Sequence, residues 1–174
     1  MTNAEMQKTR DWLLALPTPH QFRHWFEKSV ARQAEDRAWT YHTSVEEEIK
    51  NLEAMIPKLL PREMHTKANY FRVGGQEGSE NQGFLWFGVL PGMQEGSIAL
   101  IDILVESDTR GQGLGRYMLT EMLKFVKKEG YQIVVLEVRH DNKAAIDLYS
   151  SIGFNLSRTK DNVDRMHLHL ARIV

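Results

Sequence analysis

Three glycines at alternate positions, with an arginine on either side, fall within ESDTRGQGLGRYML (Glu106–Leu119). An apolar run precedes this stretch and a helix-like pattern follows it. Glycine costs about 0.5–1 kcal/mol relative to alanine inside either kind of element. Gly111, Gly113 and Gly115 are therefore best explained by a need for bare backbone. Consecutive N–H groups at a helix start, reinforced by the partial positive charge of the helix dipole, form an anion site. Arg110 and Arg116 can add full charges, and Gln112 and Leu114 lie between them. A pyrophosphate is the natural guest. The phosphate loop of nucleotide hydrolases needs Lys-Ser/Thr after its last glycine, which this chain lacks. The dinucleotide fingerprint needs a glycine at position 116, where Arg116 stands.

Further along are other polar residues with chemical potential. Glu137 is the one charged residue in IVVLEV, a run that otherwise reads as fully buried. It is either a carboxylate placed for proton transfer or a strand-end group in solvent, or one paired with Arg139. Asp102 stands alone in the same way inside SIALIDILV. Asn142 and Tyr149 are seven residues apart, nearly two helical turns, so on a helix they share one face at a separation of about 10 Å along the axis.

The elements that must position these groups follow from periodicity and punctuation. Trp12–Leu16 reads as a strand closed by prolines. His20–Ala38 reads as a helix, and Ser44 opens a second with the capping-box form Ser-Val-Glu-Glu and an apolar stripe of Ile49, Leu52, Ile56 and Leu59. Glu46, Glu47 and Glu48 read as a solvated first turn that complements the helix dipole. Asn69–Val73 and Gly83–Leu90 make a hairpin across a glycine- and acid-rich turn, Gly74–Asn81. Ser97–Val105 is a strand covered on both faces. Helix 115–129, strand 131–138, helix 143–152 and strands 154–160 and 164–173 complete the chain. Strand, helix, strand in the middle requires a right-handed crossover and a locally parallel pair. The fold class is α/β, a mixed and mostly antiparallel sheet with flanking helices, in one domain over residues 1–174.

The formal net charge of −1 gives no electrostatic case for nucleic acid or an anionic membrane. The absence of cysteine excludes disulfides, thiolate metal sites and an acyl-cysteine route. The histidines have no metal-like spacing, so no metal is expected. A polar N-terminus and the lack of a long apolar run lead us to expect a cytoplasmic protein.

The pattern Arg-x-x-Gly-x-Gly (Arg110, Gly113, Gly115) resembles the acetyl-CoA loop of the GNAT superfamily of N-acetyltransferases. The likeness extends on both sides. Val105 precedes Arg110 by the family's spacing, and LEVRHDNKAAIDLYSSIGF (Leu136–Phe154) is similar to the family's next strand and helix, with Asn142, Tyr149 and Gly153-Phe154 in place. The segment LLPREMHT (Leu59–Thr66) is similar to a bacterial branch that often has glycine after Leu-Leu-Pro, where this chain has Arg62-Glu63.

The resemblance implies a GNAT-like fold and transfer of an acetyl group from acetyl-CoA to a primary amine, by direct attack in a ternary complex. It implies that the amides of Gly111–Arg116 hold the pyrophosphate. Main-chain groups of Ile103, Leu104 and Val105, left unpaired by a bulge, would align the pantetheine. Asn142 would border the cofactor while capping its helix, and Tyr149 would be the acid for the departing thiolate. Ribosomal-protein N-terminal acetyltransferases place a glutamate base five residues before the asparagine, which is Glu137 here; Asp102 competes for that role. The acceptor, a small-molecule amine or a protein N-terminus, would lie between the first two helices and the sheet. A homodimer joined at a sheet edge is compatible with the family. A non-catalytic acyl-CoA sensor or interaction module on the same fold is the alternative.

Overall fold

The computed structural model describes residues 11–78 and 80–172. Seven strands form one sheet: β1 (Trp12–Ala15), β2 (Asn69–Gln76), β3 (Gly83–Gly88), β4 (Ser97–Val105), β5 (Ile133–Arg139), β6 (Asn155–Lys160) and β7 (Val163–His169). Their spatial order is β1-β2-β3-β4-β5-β7-β6. Only β4 and β5 pair in parallel, joined through helix α3 (Leu114–Lys128), while every other pairing is antiparallel. Helices α1 (Pro19–Tyr41) and α2 (Val45–Leu59) precede β2, and α4 (Lys143–Ile152) links β5 to β6.

Alternation along the strands builds two cores. Phe71, Val73, Phe84 and Trp86 turn toward α1 and meet Phe22 and Trp25. Leu85, Phe87, Ile98, Leu100, Val134, Leu136 and Met166 turn the other way, onto Met118, Leu119 and Met122 of α3. Helix α1 starts with a capping box between Thr18 and Gln21, and Ser44 caps α2 through the Glu47 amide.

Three expectations need correction. Gly74 and Gly75 are not part of the hairpin turn; they belong to β2, because β1 pairs with them there. The chain beyond His169 leaves the sheet as a 3₁₀ turn, Leu170–Arg172, and Ile173 lies outside the described residues. Glu48 is not solvated. Its carboxylate is buried between α1 and α2, taking the Arg37 Nε–H at 2.7 Å and the Thr43 hydroxyl at 2.8 Å. The Arg37 hydrogen bond, with that of Thr43, holds its carboxyl below the ordinary glutamate value against the cost of burial. Glu46 and Glu47 do stay exposed. At Glu63 the chain turns left-handed (φ 48°), next to the position where the related branch carries glycine.

Close packing makes one glycine irreplaceable. A methyl group at Gly88 would lie 2.5 Å from Asn69 Oδ1 and 2.9 Å from the Ala68 carbonyl oxygen. Asn69 is fixed because it accepts the buried Trp86 indole N–H at 3.1 Å. Gly88→Ala should destabilise the fold by about 1–3 kcal/mol, an overpacking cost read by urea denaturation.

Candidate active site

Strands β4 and β5 pair only from Ser97–Leu100 against Ile133–Leu136, and beyond these residues they diverge. The divergence opens a cleft of about 1050 Å³. At one end lie Gly111, Gly113 and Gly115, and at the other Asp36 and Arg37 of α1 and Arg139 of β5. A smaller hollow of about 380 Å³ between α1 and α2 is lined chiefly by apolar groups such as Phe22, Phe26 and Leu60, and includes neither the loop nor Tyr149.

At the loop end, Gly111 (φ 73°) and Gly113 (φ 95°) take backbone conformations that side chains disfavour, and Gly113 stands at the start of α3 with no side-chain cap. The first turn of α3 closes with the Tyr117 N–H donating to the Gly113 carbonyl. Among the described residues, no acceptor meets the amides from 111 to 116. Nothing lies within 4 Å of where a Gly111 side chain would begin, so the approach is open. This is anion-accepting geometry with a helix dipole behind it. The flanking side chains have local partners: Arg110 Nε–H donates to the Val105 carbonyl at 2.9 Å, Arg116 to the Ser151 hydroxyl at 2.7 Å, and Gln112 to the Asp108 carbonyl at 2.6 Å. Leu114 is buried beneath the loop.

The bulge sits elsewhere than expected. Phe87 pairs with Leu100 and Trp86 with Asp102, so Ile101 is the extra residue of β4. Ile103, Leu104 and Val105 still pair with β3; the edge they leave open faces β5. The extra residue also reverses a side chain. Two steps along a regular strand would keep Asp102 on the α3 face with Leu100; the bulge turns it to the α1 face with Trp86. There it is buried, bound by the Ser29 hydroxyl and the Arg32 guanidinium. Burial pushes the Asp102 carboxyl up, against the pull of Arg32 and Ser29. Its oxygens are occupied, which leaves it poorly placed to take a proton from an acceptor.

Glu137 projects from β5 on the face opposite Leu136 and Val138, exposed in the cleft. Among the described residues its carboxylate has no ion pair, because Arg139 pairs with Asp36 (3.3 Å) and Asp141 (2.6 Å) instead. Asn142 caps α4, its side-chain oxygen accepting the Ala145 N–H at 3.2 Å, which leaves its own amide protons for the cleft. Tyr149, on the same helix face, is buried in the cleft wall at 7% exposure. Burial first, and the Asp102 charge second, push its phenol up to about 12.

Residues 28, 32 and 36 of α1, one stripe at helical spacing, meet the sheet in sequence: Lys28 pairs with Glu106 (2.5 Å), Arg32 with Asp102, and Asp36 with Arg139. Asp36 also binds Arg32 at 2.5 Å. These rungs carry α1 diagonally across the divergence. Ser29, Arg32 and Asp36 are functional neighbours of the cleft that no motif marks; their i, i+3 and i, i+4 spacing places them on one helix face, with partners visible only in three dimensions. No group of three or more metal-ligating side chains occurs among the described residues, and no helix among them is long and apolar enough to cross a membrane.

The [ribosomal protein bS18]-alanine N-acetyltransferase of Escherichia coli strain K12 is 43% identical over 63 residues, which cover 36% of this chain and 43% of that enzyme. N-alpha-acetyltransferase RimI of Mycobacterium tuberculosis is 34% identical over 98 residues, 56% of this chain and 60% of that protein. Each match therefore spans less than two thirds of the relative. Among solved structures, the PaiA N-acetyltransferase of Thermoplasma acidophilum in complex with coenzyme A superposes with a TM-score of 0.68 at 18% identity, covering 91% of this chain and 98% of that one. The spermidine N-acetyltransferase of Vibrio cholerae, in complex with CoA and spermine, gives 0.67 at 16% identity over 93% and 97%. At these identities the likeness is one of fold. The model of the acetyltransferase (GNAT) family matches residues 20–154, most of the sequence, and this chain belongs to that family.

Proposed function

We propose that the protein is an N-acetyltransferase that moves the acetyl group of acetyl-CoA directly to a primary amine. The observation that carries this reading is the divergence of β4 and β5 onto a loop of unpaired amides. One end of the cleft suits a pyrophosphate, and the open edge of Ile103–Val105 can pair with an amide-containing arm lying along it. The relatives' activities support the same chemistry.

Each residue then has a task. Amides 111–116 hold the diphosphate, and Arg110 and Arg116 add positive charge near it. Asn142 offers its amide protons to the arm. Glu137 takes, directly or through water, the proton that an ammonium must lose before its nitrogen can attack, since aliphatic amines are mostly protonated at neutral pH; the second proton, lost as the N–C bond forms, passes to water and balances the departing thiolate. Tyr149 offers its O–H to the sulfur, which leaves with the electron pair of the broken C–S bond. The acceptor enters from the α1 side, past Asp36 and Tyr41.

The test is thiol release from acetyl-CoA with a panel of primary amines and short peptides, alongside calorimetry with coenzyme A. Amine-dependent release is expected, and Glu137→Gln should lower it by about 10²-fold or more near neutral pH. That loss should shrink as pH rises and the free amine becomes abundant. A folded protein that binds coenzyme A but releases no thiol with any amine of the panel would show a sensor instead. One that binds no coenzyme A would remove the basis of the proposal.

A further inference from the structure

The face of β5, β7 and β6 that continues from Glu137 is left bare by the helices. Leu136 and Val138 of β5, with Met166 and Leu168 of β7, turn into the α3 core, so the intervening residues face outward. Helix α1 reaches this face at its rim, where Asp36 binds Arg139 and the Trp39 ring lies 4.1 Å under the same guanidinium. A row runs across the three strands at one level: Glu137 stands opposite Arg165, and Arg165 opposite Arg158. Val163 and Lys160 form the next level of the same face.

Arg158 and Arg165 are directly opposed like charges, an arrangement that disfavours strand pairing. Among the described residues neither has an ion pair, whereas Arg139 is held by two carboxylates and Lys160 has Asp161 at 3.6 Å. Glu137 stands opposite Arg165 and offsets part of its charge, but no described carboxylate pairs with Arg158, and an anionic partner accounts for both arginines together. Strands are spaced about 4.8 Å apart, so Arg165 and Arg158 follow Glu137 at roughly 5 and 10 Å between backbones. An extended peptide advances about 3.3 Å per residue. A chain whose terminal amine lies at Glu137 brings its second to fourth residues over the two arginines.

Resting on the acetyl-transfer reading above, we propose that the acceptor is a polypeptide N-terminus followed within its first few residues by acidic side chains, with Arg165 and Arg158 as the specificity-determining pair. A nucleic-acid strand fits the row less well. Glu137 would repel its phosphates, and the described residues of β6 and β7 on this face offer histidines but no larger aromatic ring for base stacking.

The experiment uses the full chain with coenzyme A present and labelled peptides with free N-termini that carry Glu, Gln or Lys at positions 2–4. Fluorescence anisotropy should show the Glu peptide binding about tenfold tighter than the Gln peptide, with the margin eroding as salt rises. Arg158→Glu and Arg165→Gln should each cut that ratio, and together they should abolish or reverse it. Taking the ratio within one variant cancels any general loss of folding or binding. Equal affinity for the Glu and Gln peptides, or a preference that survives the double substitution, overturns the proposal. So does arginine-dependent binding of an oligonucleotide in place of the acidic peptide. If acidic peptides bind in the expected order but acquire no acetyl group, the activity fails and the surface stands. Acetylation of small amines and of peptides regardless of charge gives the converse.

Discussion

Tyr149→Phe should lower kcat by about 10²- to 10³-fold, the cost of losing one preorganised donor to developing negative charge in a water-poor site. Coenzyme A affinity should change little, since in the proposed mechanism the diphosphate is held by amides on another element. The size of the effect follows from what the phenol can do. A phenol is a weaker acid than an alkyl thiol even in water, about 10 against 8.5, and burial with the Asp102 charge pushes this one up to about 12. Complete transfer of its proton to the thiolate is therefore uphill, and in the proposed mechanism the phenol acts chiefly by hydrogen bonding to the sulfur as the C–S bond opens.

That assignment carries its own pH signature. A phenol raised this far stays protonated throughout the working range, so it should impose no alkaline limb on kcat below about pH 10. The profile of the Phe variant should run parallel to that of the parent, displaced downward. An alkaline limb near pH 9 in the parent that vanishes in Tyr149→Phe would mean that Tyr149 titrates there and donates its proton outright. An unchanged kcat would remove the residue from the chemistry altogether.

The anion loop was legible because its demand falls on the backbone, and glycine is how a sequence records such a demand. The β4–α3–β5 unit was legible because its apolar periods are long and its crossover has one permitted hand. Asp102 shows where such reading stops. Its type and position marked it as a competitor for the base, but one extra residue at Ile101 turned it to the other face and into the grip of α1. This bulge falls at Ile101, inside an apolar run with no glycine, and leaves no mark in residue type. Glu48 is a parallel case, since its burial depends on Arg37 in a different helix. Gly74-Gly75 resembled a turn because glycine serves two purposes. Here it lets Met118 and Leu114 lie within 3.2 Å of where a Gly74 side chain would begin.

Arg32→Ala should give the largest loss of stability of any single change near the cleft. The Asp102 side chain is wholly buried, and its cationic neighbour is Arg32. Removing one partner of a buried pair costs about 3–5 kcal/mol, because the other charge is left uncompensated. The Arg32 side chain keeps 36% of its surface in solvent, and Ser29 still donates a hydrogen bond, so the low end of that range is expected. Without the guanidinium, the folded-state pKa of Asp102 rises further above its unfolded value. Below the unfolded value, about 3.9 for aspartate, the carboxyl is neutral in both states and the penalty disappears. Because burial already raises Asp102 in the parent, the penalty grows only above the parent's folded pKa, where the variant still binds the proton and the parent does not, and it levels off above that of the variant. Denaturant midpoints of parent and variant should therefore draw together toward pH 4 and separate toward pH 7. Arg32→Ala combined with Asp102→Asn should recover part of the loss at pH 7, because a neutral amide can sit beside Ser29 without a counter-charge. A constant difference across that pH range, or no recovery in the double variant, would mean that Arg32 stabilises α1 by packing and not by its charge.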